Sequence, residues 1–156
     1  MSYATYKILH IIGVVLLIGN VTVTAFWKVM ADRTRDARLI AHAQYLVTWA
    51  DWFFTLGGIV LTVVGGYGAA IVAGFDLFGQ PWLVWGQLLF LASGLMWAGI
   101  LLPAQVRQAR MARAFADGSP IPDAYWRDAQ RWLVWGILAT VPLVAGIVVM
   151  VVKTRA

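Results

Sequence analysis

Four long apolar stretches, separated by short segments rich in charge, glycine or proline, set the pattern of this chain and predict four helices. The first runs from about Ala4 to Trp27 and gives way to a charged segment holding Lys28, Asp32, Arg33, Arg35, Asp36 and Arg38. The second runs from about Leu39 to Ala73, longer than a bilayer requires, so it tilts or begins outside the hydrocarbon. Gly74 to Pro81 reads as a turn, and Pro81 suits the first turn of a third helix, where its missing N–H costs nothing. That helix continues to about Arg113, with Pro103 inside it predicting a kink. Asp117 to Asp123 is a second turn, Asp123 is a candidate N-cap, and the last helix ends near Val152. A crossing needs about 20 apolar residues. The pattern therefore specifies an all-α, four-helix antiparallel transmembrane bundle, one integral membrane domain over residues 1–156 with spans at about 4–28, 43–73, 82–106 and 131–152. A cleaved secretory signal is the rival reading of the first stretch, but the apolar run is long for one and no clear small-residue cleavage site follows.

Charge placement orients the bundle. Lys28, Arg33, Arg35 and Arg38 lie between spans one and two, and Arg107, Arg110, Arg113, Arg127 and Arg131 between spans three and four. Lys7, Lys153 and Arg155 are the only basic residues at the other side, so the positive-inside rule puts both termini outside the cytoplasm, in a bacterial inner membrane. Trp82 and Trp85 fall at the outer boundary and Trp27, Trp126 and Trp132 at the inner one; Trp97 alone is mid-span. The net charge of +5 is thus a topology and headgroup device, and nucleic acid is not an expected partner. At 62% hydrophobic and 12% charged, against about 25% charged in a soluble domain, a soluble globular monomer is excluded. The absence of cysteine removes disulfides, iron–sulfur clusters, thiol nucleophiles and covalently attached c-type haem. All seven acids are Asp, which excludes a di-metal site built on Glu-x-x-His pairs.

Polar side chains inside a span face protein or a cavity, so their spacing marks the buried face. In span one His10, Gly13, Leu17, Asn20, Thr24 and Lys28 form a single stripe. In span two Gln44, Thr48, Asp51, Thr55, Gly58, Thr62, Gly65 and Ala69 do the same, a polar and small face that suits close helix packing. Depth sorts them into two layers. The outer layer holds His10, the Gly65, Gly66 and Gly68 cluster, Gln87 and Gly146 to Met150; the inner layer holds Asn20, Asp51 and Gln105. The polar groups of the membrane interior are therefore Asn20, Asp51 and Gln87. His42 lies nearly a bilayer away from His10, so the two do not share a metal within one chain.

A neutral imidazole at His10 can ligate haem iron, carry a proton, or hydrogen-bond to Gln87 or Thr62. The glycine cluster offers room for a flat macrocycle, with Met150 at a depth suited to the opposite axial position. Asp51 is protonated, paired with Lys28 reaching inward, or hydrogen-bonded to Asn20; it is a clamp between spans one and two, or a proton or cation site. His42, beside Arg38, reads as a solvated or headgroup-contacting residue.

Tyr6 to Val15 (YKILHIIGVV) resembles the first span of HemJ-type membrane proteins, and Val148 to Lys153 is also similar to their C-terminal end. Asp51 to Gly58 (DWFFTLGG) and Pro81 to Gly86 (PWLVWG) resemble more closely a family of predicted bacterial integral membrane proteins with no assigned function, a resemblance covering nearly the whole chain. The HemJ-type resemblance implies an oxygen-independent protoporphyrinogen oxidase binding b-type haem through a first-span histidine, which matches His10. Where that family carries a lysine and a histidine in span three, this chain has Gly86 or Gln87 and then Trp97. CopD-type copper proteins share a similar first-span histidine, but Met and His here are too few and scattered for a copper path.

Two functional expectations follow. One is a membrane protein binding b-type haem or porphyrin through His10, with Met150 as a second ligand, no other metal site, and an unidentified redox partner. The other is a non-catalytic membrane module that forms a homo-oligomer or joins a larger complex through its small-residue faces. Transport has least support, since the chain shows no inverted repeat and no pair of broken helices.

Overall fold

A computed structural model describes residues 1–153 and contains helices and turns only among them. The elements are α1 (Tyr3–Thr34), α2 (Ala37–Ala50), a π-helical turn π1 (Asp51–Thr55), α3 (Leu56–Val72), α4 (Pro81–Met96), a second π turn π2 (Trp97–Leu101), α5 (Leu102–Ala114) and α6 (Asp123–Val152). α2, π1 and α3 are continuous, as are α4, π2 and α5, so the chain makes four rods long and apolar enough to span a membrane. This is the expected four-helix architecture.

Local chemistry sets the ends. Ser2 caps α1 by accepting from the Thr5 N–H, and Asp36 caps α2 by accepting from the N–H groups of Arg38 and Leu39. Pro81 opens α4 as its spacing predicts. Pro122 is the residue outside α6, so Asp123 is the first helical residue rather than the cap, an acid near the positive end of the helix dipole. Pro103, where a kink is expected, closely follows π2. A proline ring clashes with the carbonyl four residues earlier, here Gly99, and that residue lies inside the π turn, where the α hydrogen-bond ladder is already relaxed.

Packing divides the rods into pairs. α1 lies against α3 and α4 against α6, while at the basic end α2 packs on α1 and α5, and α5 on α6. The α1–α3 seam is built from glycine. A Cβ on Gly13 would lie 2.5 Å from the Thr62 nitrogen, and one on Gly58 would lie 3.0 Å from the Gly13 carbonyl, so the backbones touch only because side chains are missing. The stripes on spans one and two face each other along this seam, with Gly13, Leu17, Thr24 and Lys28 buried on one side and Thr55, Gly58, Thr62 and Gly65 on the other.

The core sits toward the basic end, in two clusters: Ala31, Ile40, Ala112, Phe115, Tyr125 and Ala129, then Val47, Leu101, Ala104, Trp132 and Ala139. Between the α1–α3 and α4–α6 pairs, α1 and α6 approach each other through backbone, whereas α3 and α4 do not among the described residues. A side-chain bond joins α3 to α4, from the Tyr67 hydroxyl to Oε1 of Gln87 at 2.8 Å.

Candidate functional site

His10 sits two turns into α1, half-buried against α3. Its Nδ1 lies 2.8 Å from the backbone carbonyl of Thr62. A carbonyl only accepts, so Nδ1 carries a hydrogen and donates it. Nε2 makes no hydrogen bond among the described residues. The expected partner Thr62 is therefore engaged through its main chain and not its hydroxyl, and Gln87 is not a partner of His10.

The glycine cluster does not hold a macrocycle. The space beside Gly65 is filled by the backbone of α1 at His10 and Tyr6, that beside Gly68 by the Tyr6 ring, and that beside Gly66 by the imidazole, whose Nδ1 would lie 2.9 Å from an added Cβ. These glycines serve helix approach and seat the histidine ring. Met150 is likewise placed elsewhere: its methyl group rests on Gly86 in the α4–α6 pair, so the thioether caps a second glycine contact and does not face His10 across the seam. The donor set at His10 is a single imidazole, which fits one axial position of haem iron and does not supply the opposite one. Among the described residues no group of three or more His, Cys, Asp or Glu could hold a metal ion.

The inner polar layer forms as its spacing predicts. Asn20 Nδ2 donates to Oδ1 of Asp51 at 2.8 Å and to the Thr55 hydroxyl at 2.9 Å, and that hydroxyl donates on to the same Asp51 oxygen at 2.9 Å. Gln105 lies beside the Asp51 carboxyl and accepts from the Trp132 indole N–H at 3.2 Å. Of the three alternatives for Asp51, the structure has the bond to Asn20 and not the pairing with Lys28. Gln87 belongs to neither group: its amide donates to the carbonyls of Leu77 and Leu83, which fastens the turn after α3 to the start of α4.

Lys28 instead makes a buried lock that residue spacing alone does not reveal. Its Nζ lies 2.9 Å from Oδ2 of Asp32 and donates to the Tyr125 hydroxyl at 3.0 Å, while that hydroxyl donates to Oδ1 of Asp32 at 2.7 Å. The ammonium also lies over the rings of Tyr125 and Trp132, at 5.0 and 5.7 Å from their centroids. Tyr125 is fully buried, and the sequence signal for it was slight: an aromatic one turn into the last helix, opposite a lysine at the end of the first. Gln44, expected on the inward stripe of span two, is buried, and so is Gln108 on α5.

Outside the spans, the two turn carboxylates are held below the ordinary range by their own loops. Asp117 accepts from the Ser119 hydroxyl and N–H, with Arg38 nearby, and Asp76 from the N–H groups of Phe78 and Gly79. His42 is exposed on α2 near Arg38 and the α5 wall. Arg155 lies outside the described residues.

No curated protein and no solved structure matches the chain. The HemJ-type and CopD-type likenesses accordingly gain no support. One family does match, over residues 4–154 and thus nearly the full length, in keeping with four apolar rods. The chain belongs to the family described as predicted integral membrane protein (DUF2269).

Proposed function

We propose that this integral membrane protein binds b-type haem or a porphyrin, with Nε2 of His10 as the axial ligand. The observation that supports it is the Thr62 carbonyl engaging Nδ1 as the donor, which leaves Nε2 as the ring nitrogen without a protein partner among the described residues. Ligating histidines are commonly oriented in this way, the outer nitrogen donating to a carbonyl so that the inner one meets the metal. The iron would be held outside the glycine seam, which is already filled. Bound haem would supply one-electron chemistry at its iron. The chain's own part is to hold the ring over Gly66 and fix its tautomer.

The test is a visible spectrum of the protein purified in detergent after expression with haem supplied. A Soret band is expected in the parent, lost in His10→Ala and kept in His42→Ala. No band in the parent, or a band that survives His10→Ala, refutes the assignment.

A second reading, favoured by the sparse backbone contact between the α1–α3 and α4–α6 pairs, is a non-catalytic module that associates with a second copy or another membrane subunit. Stable, cofactor-free oligomers that persist in His10→Ala would support it over haem binding. Either reading places the protein in the bacterial inner membrane with both termini extracytoplasmic, supported by the basic residues of its inter-span loops. A single introduced cysteine, Ser2→Cys in this cysteine-free chain, should react with an impermeant maleimide from the periplasmic side only.

A further inference from the structure

We propose that a groove between α2 and α5 at the basic end of the bundle binds the phosphate headgroup of an anionic phospholipid. The groove encloses about 760 Å³. Arg38 and His42, one turn apart on α2, form one wall and Arg113 of α5 the other, and no carboxylate lines it. His42 and Arg113 make no hydrogen bond among the described residues, while at the groove's rim Arg38 donates to the Asp117 carbonyl at 3.2 Å and has the Asp117 carboxylate nearby, which partly offsets its charge. By contrast, the comparable groove beside α1 carries Asp32 and Asp123 among its basic residues, so its charge is already compensated.

A second observation points to a ligand. Gln44 lines the groove and is 1% exposed, yet neither its amide nitrogen nor its amide oxygen has a hydrogen-bond partner. Buried amides in folded proteins are almost always satisfied. The amide atoms are covered at the groove's floor, so phosphate or glycerol oxygens supply their missing partners only once the neighbouring side chains part to admit the headgroup.

The groove also identifies the source of the phosphate. From Arg38 it runs past Gln44 to Trp49 and Trp52, about three to four helical turns toward the membrane interior, where both indoles are exposed. A lipid covers that apolar length with acyl chain; a free phosphate ion leaves it bare. Guanidinium groups at the boundary with indoles beneath them match a lipid's own order of charge and hydrocarbon.

Native mass spectrometry of the detergent-purified protein tests this, with phosphatidylglycerol and phosphatidylcholine of identical acyl chains as probes. One phosphatidylglycerol per chain should be retained in preference to phosphatidylcholine. Arg38→Gln and Arg113→Gln should each weaken retention about fivefold and together roughly twentyfold. Arg33→Gln with Arg35→Gln, in the compensated groove, should leave it unchanged. Ala116→Trp, which obstructs the groove from an exposed position without removing charge, should also release the lipid and covers the case in which the double arginine variant fails to fold. Equal retention of the two lipids, retention unchanged in the double variant or in Ala116→Trp, or displacement of the lipid by inorganic phosphate would each overturn the proposal.

Discussion

The side-chain amide of Asn20 reaches across the α1 seam to Oδ1 of Asp51 at 2.8 Å and simultaneously to the Thr55 hydroxyl at 2.9 Å, so one residue of span one holds both ends of the π turn in span two. Interhelical hydrogen bonds in membranes average well under the value expected for hydrocarbon, because the unfolded helices find other partners. Asn20→Leu should therefore lower stability in detergent by only about 1–2 kcal/mol, and Asp51→Leu by a similar amount. The Asn20→Leu, Asp51→Leu double variant should lose less than the sum, with a coupling of about 0.5–2 kcal/mol. Strictly additive losses in a thermal unfolding assay would show that the pair is adjacent without being coupled.

Glycine contacts in the same seam are expected to matter more than its polar bonds. Gly13→Ala places a methyl 2.5 Å from the Thr62 nitrogen, and Gly65→Ala drives one into the α1 backbone at His10; neither neighbour is a flexible side chain that can move aside. Each should cost about 1–3 kcal/mol by overpacking and shift the melting transition accordingly. Gly19 and Gly57 face open space, so alanine there should be neutral or slightly stabilising. A melting profile that does not separate the two classes would remove the seam as the main packing element.

At the basic end Lys28 ties the first helix to the last. Tyr125→Phe removes the hydroxyl that links Lys28 to Asp32 while keeping the buried ring, and should cost about 1 kcal/mol. Lys28→Met loses the charge-assisted bonds and both ring contacts, leaves Asp32 without its cation, and should cost about 2 kcal/mol. Asp32 is 18% exposed, which limits the loss, since water can take over part of its solvation. The two variants should be non-additive when combined, because each breaks the same ring of bonds.

The spans, their buried stripes and the Asn20–Asp51 pair were legible in the sequence, because in hydrocarbon a polar side chain has few places to go and helical spacing then names its face. What stayed illegible depended on lateral placement. Depth put Met150 and Gln87 level with His10, but depth does not say which rods are neighbours; Met150 seats on Gly86 and Gln87 on the turn after α3. The glycines near His10 were read as empty space, although a glycine face is as readily filled by another backbone, and here α1 fills it. The Lys28 lock was missed for a related reason: its partners Asp32 and Tyr125 come from a neighbouring turn and from 97 residues away.

The π turn at Asp51–Thr55 makes a prediction that a regular helix would not. A π turn holds one more residue than the α turn it replaces. Along span two the inward positions run Gln44, Val47, Asp51, Thr55, Gly58, Thr62 and Gly65, and the step of four from Asp51 to Thr55 is the π turn itself. Phe53 is 67% exposed and contributes nothing to the seam. Deleting it shortens the Asp51-to-Thr55 step to three, which an ordinary α turn accommodates while Asn20 still faces both side chains. Deleting Leu61 from α3 also removes one residue, but no local insertion is there to absorb it. Everything beyond then turns by about 100°, and Gly65 leaves α1. The Phe53 deletion should therefore retain helical circular dichroism and a monodisperse elution profile in detergent, whereas the Leu61 deletion should aggregate. If both deletions aggregate alike, the π turn is a required part of the span-one clamp and not a tolerated insertion.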